Sequence, residues 1–356
     1  MFGWTPILSA ILSVLPPRVC TWLERYQARM SEAAGDLEEI RLRAERPVQL
    51  VSARREGFLT EAGELVHDAA GAPALRAEEI VETARRASRH SVYAFEEELR
   101  QGFLTLPGGH RVGLVGRCVV EGGRVRTIDP VSGLNFRLHR QVTGPARPLL
   151  PHLASPFPPY VYSTLIISPP GAGKTTLLRD LARLLSDGEG WGPGAIPPRK
   201  IVVVDERSEI AGCWLGVPQL SVGSRTDVLD RCPKAEGIMM ALRGMAPDVV
   251  VTDEIGRPED LLALEEAQNA GVAVLATAHG VSWEEVISRP ALRDLRDYPY
   301  FDRVVLLSRR QGPGTVERIF RPESCAASGS GPRAGRARPP AGRGRSSPSR
   351  PSIHMP

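Results

Sequence analysis

Residues 164–176 read Thr-Leu-Ile-Ile-Ser-Pro-Pro-Gly-Ala-Gly-Lys-Thr-Thr, and the helix-forming stretch Leu177 to Leu185 follows at once. No other segment constrains the fold as tightly. A strand that enters a Gly-x-Gly-Lys-Thr-Thr turn and leaves as a helix can aim successive backbone N–H groups inward around an anion. The glycines permit the backbone bends that side chains resist. The helix N-terminus adds the positive end of its dipole. Lys174 is then placed to reach β- and γ-phosphates, and Thr175 to offer its hydroxyl to Mg²⁺. The segment is a phosphate-binding P-loop, with Pro170, Gly171, Ala172, Gly173, Lys174, Thr175 and Thr176 as the cradle. The general pattern asks for glycine at its first position, where this chain has Ser168. That change removes some backbone freedom and leaves the core of the motif intact.

Two apolar strands downstream end in acids. Val249-Val-Val-Thr leads into Asp253-Glu254, and Ile201-Val-Val-Val leads into Asp205-Glu206-Arg207-Ser208-Glu209. In sheets of this kind the strand C-termini line the ligand crevice. Asp253 is placed to hold Mg²⁺ through water, and Glu254 to polarise an attacking water. Two acid-tipped strands exceed what one metal and one base require, and spacing alone does not choose the base among Glu206, Glu209 and Glu254. His279 ends the strand Val272 to Ala278, where it can sense a γ-phosphate, orient water, or be held by backbone bonds. Arg243 precedes the second acidic strand and either pairs with those acids or faces a neighbouring subunit. Arg225 and Arg231 are phosphate contacts or surface ion-pair partners.

The rest of the chain organises around this segment. The 356 residues suit two domains and a tail. Residues 1–150 read as a smaller α+β domain, with a helical period over 77–89, a second helix over 93–99 and a strand at 47–51. A β-meander over 102–128 turns at Gly108-Gly109 and Gly122-Gly123. The Pro-rich stretch that follows marks a boundary. Residues 151–322 alternate strands (163–168, 200–205, 248–253, 272–277, 303–308) with helices, which predicts a parallel sheet covered by helices. Residues 323–356 form an Arg-, Pro-, Gly- and Ser-rich tail, expected to be disordered because it has too little apolar surface to bury. Six arginines and no acid lie beyond Glu323, so a net charge of +4 leaves the rest of the chain slightly acidic. Bulk charge therefore excludes a generally basic nucleic-acid binder. Five scattered cysteines form no CxxC pair or zinc spacing, which suits a reducing compartment. No stretch reaches the ~18 apolar residues of a membrane span, so a cytoplasmic location is expected. Phe2 to Leu15 reads as an amphipathic helix packed on its own domain, with membrane or partner docking as the other reading.

The combination of Ser168-Pro-Pro-Gly-Ala-Gly-Lys-Thr-Thr, Val204-Asp-Glu-Arg-Ser-Glu-Ile-Ala, Arg225-Thr-Asp-Val-Leu-Asp and Pro247-Asp-Val-Val-Val-Thr-Asp-Glu-Ile-Gly resembles the stage III sporulation protein AA family of endospore-forming bacteria. Tyr93-Ala-Phe-Glu-Glu-Glu-Leu-Arg-Gln-Gly and Gly108-Gly-His-Arg-Val-Gly-Leu extend the resemblance into the first half. It runs from about Leu37 to Arg321. More distantly the second half is similar to the ATPases of type II and type IV secretion, which carry a P-loop, an Asp box, a Walker B strand and a His box. Asp205 to Glu209 sits at the Asp box, Glu254 at the Walker B glutamate and His279 at the His box. The resemblance implies a RecA-like or AAA-type P-loop ATPase of the additional-strand class, with ATP and Mg²⁺ as ligands. It implies a hexameric ring in which arginines reach the nucleotide from elsewhere, for which Arg243, Arg137 and Arg140 are the candidates. It also implies a mother-cell protein, peripheral at the forespore membrane, serving membrane-embedded channel proteins. A nucleic-acid-dependent ATPase, using the arginine tail, and a nucleotide-gated scaffold are the alternatives.

Overall fold

The computed structural model describes residues 6–29, 37–52, 55–88, 102–139, 141–158, 160–188, 196–296, 298 and 300–322. The helix expected over 93–99, Arg140, Cys325 and the tail lie outside the described residues.

The first half builds a seven-stranded antiparallel sheet from β1 (Leu37–Arg43), β2 (Gln49–Ser52), β3 (Glu56–Leu59), β4 (Leu65–Val66), β5 (Phe103–Leu106), β6 (His110–Glu121) and β7 (Arg124–Arg137). The spatial order is β4-β3-β2-β1-β7-β6-β5. Register pairs Ile40 with Phe136, and Phe136 with Val112, so these side chains share one face. Helices α1 (Pro6–Leu12), α2 (Pro17–Arg29) and α3 (Ala77–Ala87) contribute to the same core. Ile11, Leu15, Val19 and Leu23 are fully buried there, each worth roughly 1.5–3 kcal/mol. The apolar start thus packs on its own domain. Arg18 on α2 donates to Glu79 on α3 at 2.7 Å, which ties the two helices together. Among the described residues no helix is long and apolar enough to cross a membrane.

The second half is a wound α/β layer. Its strands are β8 (Thr164–Ser168), β9 (Ile201–Asp205), β10 (Thr226–Asp230), β11 (Val249–Thr252), β12 (Ala273–His279), β13 (Arg303–Ser308) and β14 (Thr315–Phe320). The order is β10-β9-β11-β12-β8-β13-β14, parallel throughout except for β14, which runs antiparallel to β13. The five strands predicted from sequence are all present. One of them, β12, stands between β8 and β11, and the edge strands β10 and β14 are beyond those predicted. Helices α4 (Lys174–Asp187), α5 (Lys234–Gly244), α6 (Pro258–Asn269) and α7 (Trp283–Ser288) cover the sheet. Because side chains alternate along each strand, one core takes Leu165, Ile167, Val202, Val204 and Val250 against α5 and α6. The other takes Ile166, Val203, Val249, Val251 and Leu275 against Leu177, Leu178 and Leu181 of α4. Burial on both faces explains the uninterrupted apolar runs of the sequence. Leu138 packs with the core of the first half, and Ala146 with the α4-side core of the second.

Candidate functional site

The P-loop has the geometry its glycines allow. Gly171 and Gly173 adopt φ +67° and +85°, in the left-handed region, and α4 begins at Lys174 with Gly173 as its cap residue. Ser168 is buried, and its hydroxyl donates to the Pro169 carbonyl at 3.0 Å. At that position the backbone is ordinary strand, so the absent glycine has no steric consequence.

The Walker-type acids converge on this loop. Lys174 Nζ lies 2.7 Å from Glu254 Oε1, and Arg207 Nη1 is 3.2 Å from Glu254 Oε2. Burial pushes the Glu254 carboxyl up, but the Lys174 hydrogen bond and the charges of Lys174, Arg207 and His279 outweigh it. The group is held below the ordinary carboxylate value. Asp253 beside it is buried and behaves oppositely. Burial, with Asp205, Glu209 and Glu254 nearby, raises it to about 6 against the pull of Lys234 at 3.8 Å. Its Oδ1 is buried and, among the described residues, has no hydrogen-bond partner.

Asp205, fully buried, has a structural assignment. Its Oδ1 accepts from the Glu209 N–H at 2.8 Å, and its Oδ2 from Ile210 and Ala211 at 2.9 and 2.8 Å. These bonds set the loop that carries Glu209 toward the site. Glu206 is turned elsewhere, paired with Lys234 and 3.8 Å from Arg257. Of the three glutamates, Glu254 is the one paired with the P-loop lysine.

A cavity of about 300 Å³ opens between the two halves, lined by Thr175, Thr176, Arg179 and Glu209 from one and Arg111, Arg137 and His139 from the other. Arg111 Nη1 pairs with Glu209 at 3.1 Å and also donates to the Arg207 carbonyl. Arg179 on α4 donates to the Glu209 carbonyl at 2.6 Å; burial lowers its pKa to about 10, with Asp205 and Glu209 opposing. His139 Nδ1 sits 2.8 Å from the Gly109 carbonyl, and burial with Arg179, Arg111 and His110 nearby lowers it to about 4. Arg137 is thus beside the loop, 3.7 Å from Glu39. Arg111, Arg179 and His139 were not singled out by sequence; the signals were that Arg111 belongs to the Gly108-Gly-His-Arg stretch and that His139 lies between the candidates Arg137 and Arg140.

The remaining candidates spread outward. His279 is exposed at the end of β12, in register with Ser168 of β8, so it stands at the mouth of the loop. Arg243 is exposed in the last turn of α5. Arg225 donates to the Ser186 carbonyl at 3.1 Å, and Arg231 lies 3.9 Å from Asp230.

These residues fit Mg²⁺ with a nucleotide. Thr175 faces the cavity, and the orphaned Asp253 Oδ1 is a carboxylate oxygen with an unused lone pair. Among the described residues no group of three or more His, Cys, Asp or Glu forms a cage. Mg²⁺ takes one or two protein oxygens and fills its shell with phosphate and water.

Comparison with known proteins bears on the fold and the family. The fold matches the pilus retraction motor PilT with bound ADP at TM-score 0.52 and 14% identity, over 85% of this chain and 84% of that one. It matches the ATPase DotB of Yersinia pseudotuberculosis at TM-score 0.51 and 14% identity, over 84% and 79%. In sequence the chain is 47% identical to stage III sporulation protein AA of Bacillus subtilis (strain 168), over 80% of this chain and 87% of that protein. The family model for sporulation stage III, protein AA matches residues 9–325, nearly the whole described structure, and to that family the chain belongs.

Proposed function

We propose that the chain is a Mg²⁺-dependent ATPase that works as a ring-forming, secretion-type motor for the channel between mother cell and forespore. The observation that carries the reading is the 2.7 Å pairing of Lys174 with Glu254 at the head of α4. A polyphosphate in the loop is a stronger partner for Lys174 than one carboxylate, because it offers several charges and acceptors. Its arrival releases Glu254, which is then free to orient a water in line with the γ-phosphorus. Lys174 neutralises the charge that develops as the bond from the γ-phosphorus to the bridging oxygen breaks. Thr175, and Asp253 through water, would hold Mg²⁺, which would supply Lewis-acid charge there. Glu209, fixed by Asp205, stands as the second acid of the site.

Three things support the wider role. The family is a sporulation family. The fold is that of proteins named as a retraction motor and an ATPase. Arg243 is exposed, as a contact with a neighbouring subunit would require.

The test is ATP turnover of the full chain with Mg²⁺, with and without DNA, together with mass by light scattering. Nucleotide-dependent oligomers whose turnover ignores DNA agree with the proposal. Strong stimulation by DNA would instead make the chain a nucleic-acid translocase. Assembled oligomers that bind nucleotide and never turn it over would make it a scaffold.

A further inference from the structure

Residues 309–314, which join β13 to β14, lie against the P-loop. The Gly314 N–H donates to the Ala172 carbonyl at 2.8 Å. A methyl group built on Gly173 would meet the Gly314 nitrogen at 3.2 Å and Pro313 Cβ at 3.5 Å. One built on Gly171 would meet Arg309 Nη1 at 3.5 Å and Cζ at 3.8 Å. Ala172 is thus bonded to this turn, and Gly171 and Gly173 present their open sides to it.

The two arginines that open the turn differ in their surroundings. Arg310 is committed: it donates to both carboxylate oxygens of Glu317, at 3.1 and 3.2 Å. Arg309 is exposed and, among the described residues, has no acceptor for its guanidinium. Its backbone is held by the register that pairs Ser308 with Thr315, and the turn is braced by the Thr315 hydroxyl, which donates to the Gly312 carbonyl at 2.7 Å. An exposed arginine whose backbone is fixed beside left-handed glycines, with no counter-ion among the described residues, is free to take an anion.

We propose that Arg309 is a phosphate ligand, donating to the β- and γ-phosphates of the nucleotide in the P-loop. The inference rests on the nucleotide reading above and adds a residue that the motif does not contain. The planar guanidinium fork matches phosphate oxygens two at a time, which a lysine at that place does not. Because the turn is already fixed to the loop, ordering Arg309 on a phosphate has a smaller entropic cost than ordering an arginine on a mobile segment.

The experiment is calorimetric titration of ADP and ATP into full-length wild type, Arg309→Ala, Arg309→Lys and Arg310→Ala, with thermal unfolding of each nucleotide-free protein. Arg309→Ala is expected to weaken both nucleotides roughly tenfold or more, the loss of one charge-assisted hydrogen-bonding group. Arg309→Lys recovers part of that loss, Arg310→Ala stays within about twofold of wild type, and the Arg309→Ala gap narrows in salt. The unfolding temperature of nucleotide-free Arg309→Ala stays at the wild-type value. Unchanged affinities in Arg309→Ala would overturn the proposal while wild type still binds. So would a drop in unfolding temperature with lysine no better than alanine, which marks a packing role. Wild-type protein that binds neither nucleotide would sink the nucleotide reading itself, and this inference with it.

Discussion

Glu254 stands at φ +27°, in a region that a residue with a side chain occupies only when its neighbours impose it. Thr277 on β12 does the imposing. Its hydroxyl accepts from the Glu254 N–H at 2.8 Å, and its carbonyl from the Ile255 N–H at 2.8 Å. Thr277→Val keeps the shape and removes the hydroxyl acceptor. It should cost about 1–3 kcal/mol in urea unfolding and reduce ATP turnover while nucleotide binding persists; wild-type turnover would show that the backbone at Glu254 is not held from β12. His139 gives a pH signature. Its folded pKa of about 4 lies below the unfolded value of 6.5, so the native protein binds fewer protons across that window. This contribution to stability is complete above about pH 6.5 and is lost as pH falls toward about 4, by on the order of 1–3 kcal/mol. His139→Gln should therefore show a flatter stability profile than wild type in urea titrations between those limits. Parallel profiles would contradict the assignment. At this scale the P-loop was legible because its chemistry sits in consecutive residues with one admissible spacing. Arg111, Arg179, His139 and Arg309 were not. They reach the site from strands and turns far apart in the chain, and an arginine among 45 basic residues carries no spacing of its own.

The loop from Glu206 to Ala211 is an element organised by one buried carboxylate. Asp205 takes three backbone N–H groups that would otherwise be orphaned, and it does so at the tip of a fully buried strand. Asp205→Ala removes both oxygens that accept these three bonds. The variant should lose about 2–4 kcal/mol by urea unfolding, and turnover should fall with it because Glu209 is no longer placed. A stability change under about 0.5 kcal/mol would mean that water replaces the carboxylate. The strands show why sequence reads some elements and not others. β8, β9 and β11 are buried on both faces and announce themselves as apolar runs. β10 and β14 lie at the two edges of their sheet and carry Asp227, Asp230, Glu317 and Arg318. Charged side chains suit an edge, where they discourage pairing with another chain, and they hide the strand from a search for hydrophobic periodicity. β1, with Glu38, Glu39, Arg41 and Arg43, was obscured in the same way.

At the scale of the whole molecule, two separately cored halves meet across the nucleotide site. The Gly108 N–H donates to Gln219 Oε1 at 2.8 Å, the Ser221 N–H to Gln141 Oε1 at 3.0 Å, and Arg111 bridges to Glu209 and Arg207. The Arg111–Glu209 pair is partly exposed, so it adds little to stability, yet it lines the cavity beside Thr175 and Thr176. Arg111→Ala should leave the unfolding temperature within about 2 °C of wild type and still slow ATP turnover. Turnover equal to wild type would make the pair an incidental contact between the halves. The account as a whole stands on the Lys174–Glu254 pair. The measurement that tests it most directly is ATP turnover with Mg²⁺, set beside equilibrium ATP binding, for full-length wild type, Lys174→Ala and Glu254→Gln. The account predicts turnover in wild type, loss of both binding and turnover in Lys174→Ala, and retained binding with turnover lowered roughly 100-fold or more in Glu254→Gln. Full turnover in Glu254→Gln, or undiminished ATP binding in Lys174→Ala, would contradict it.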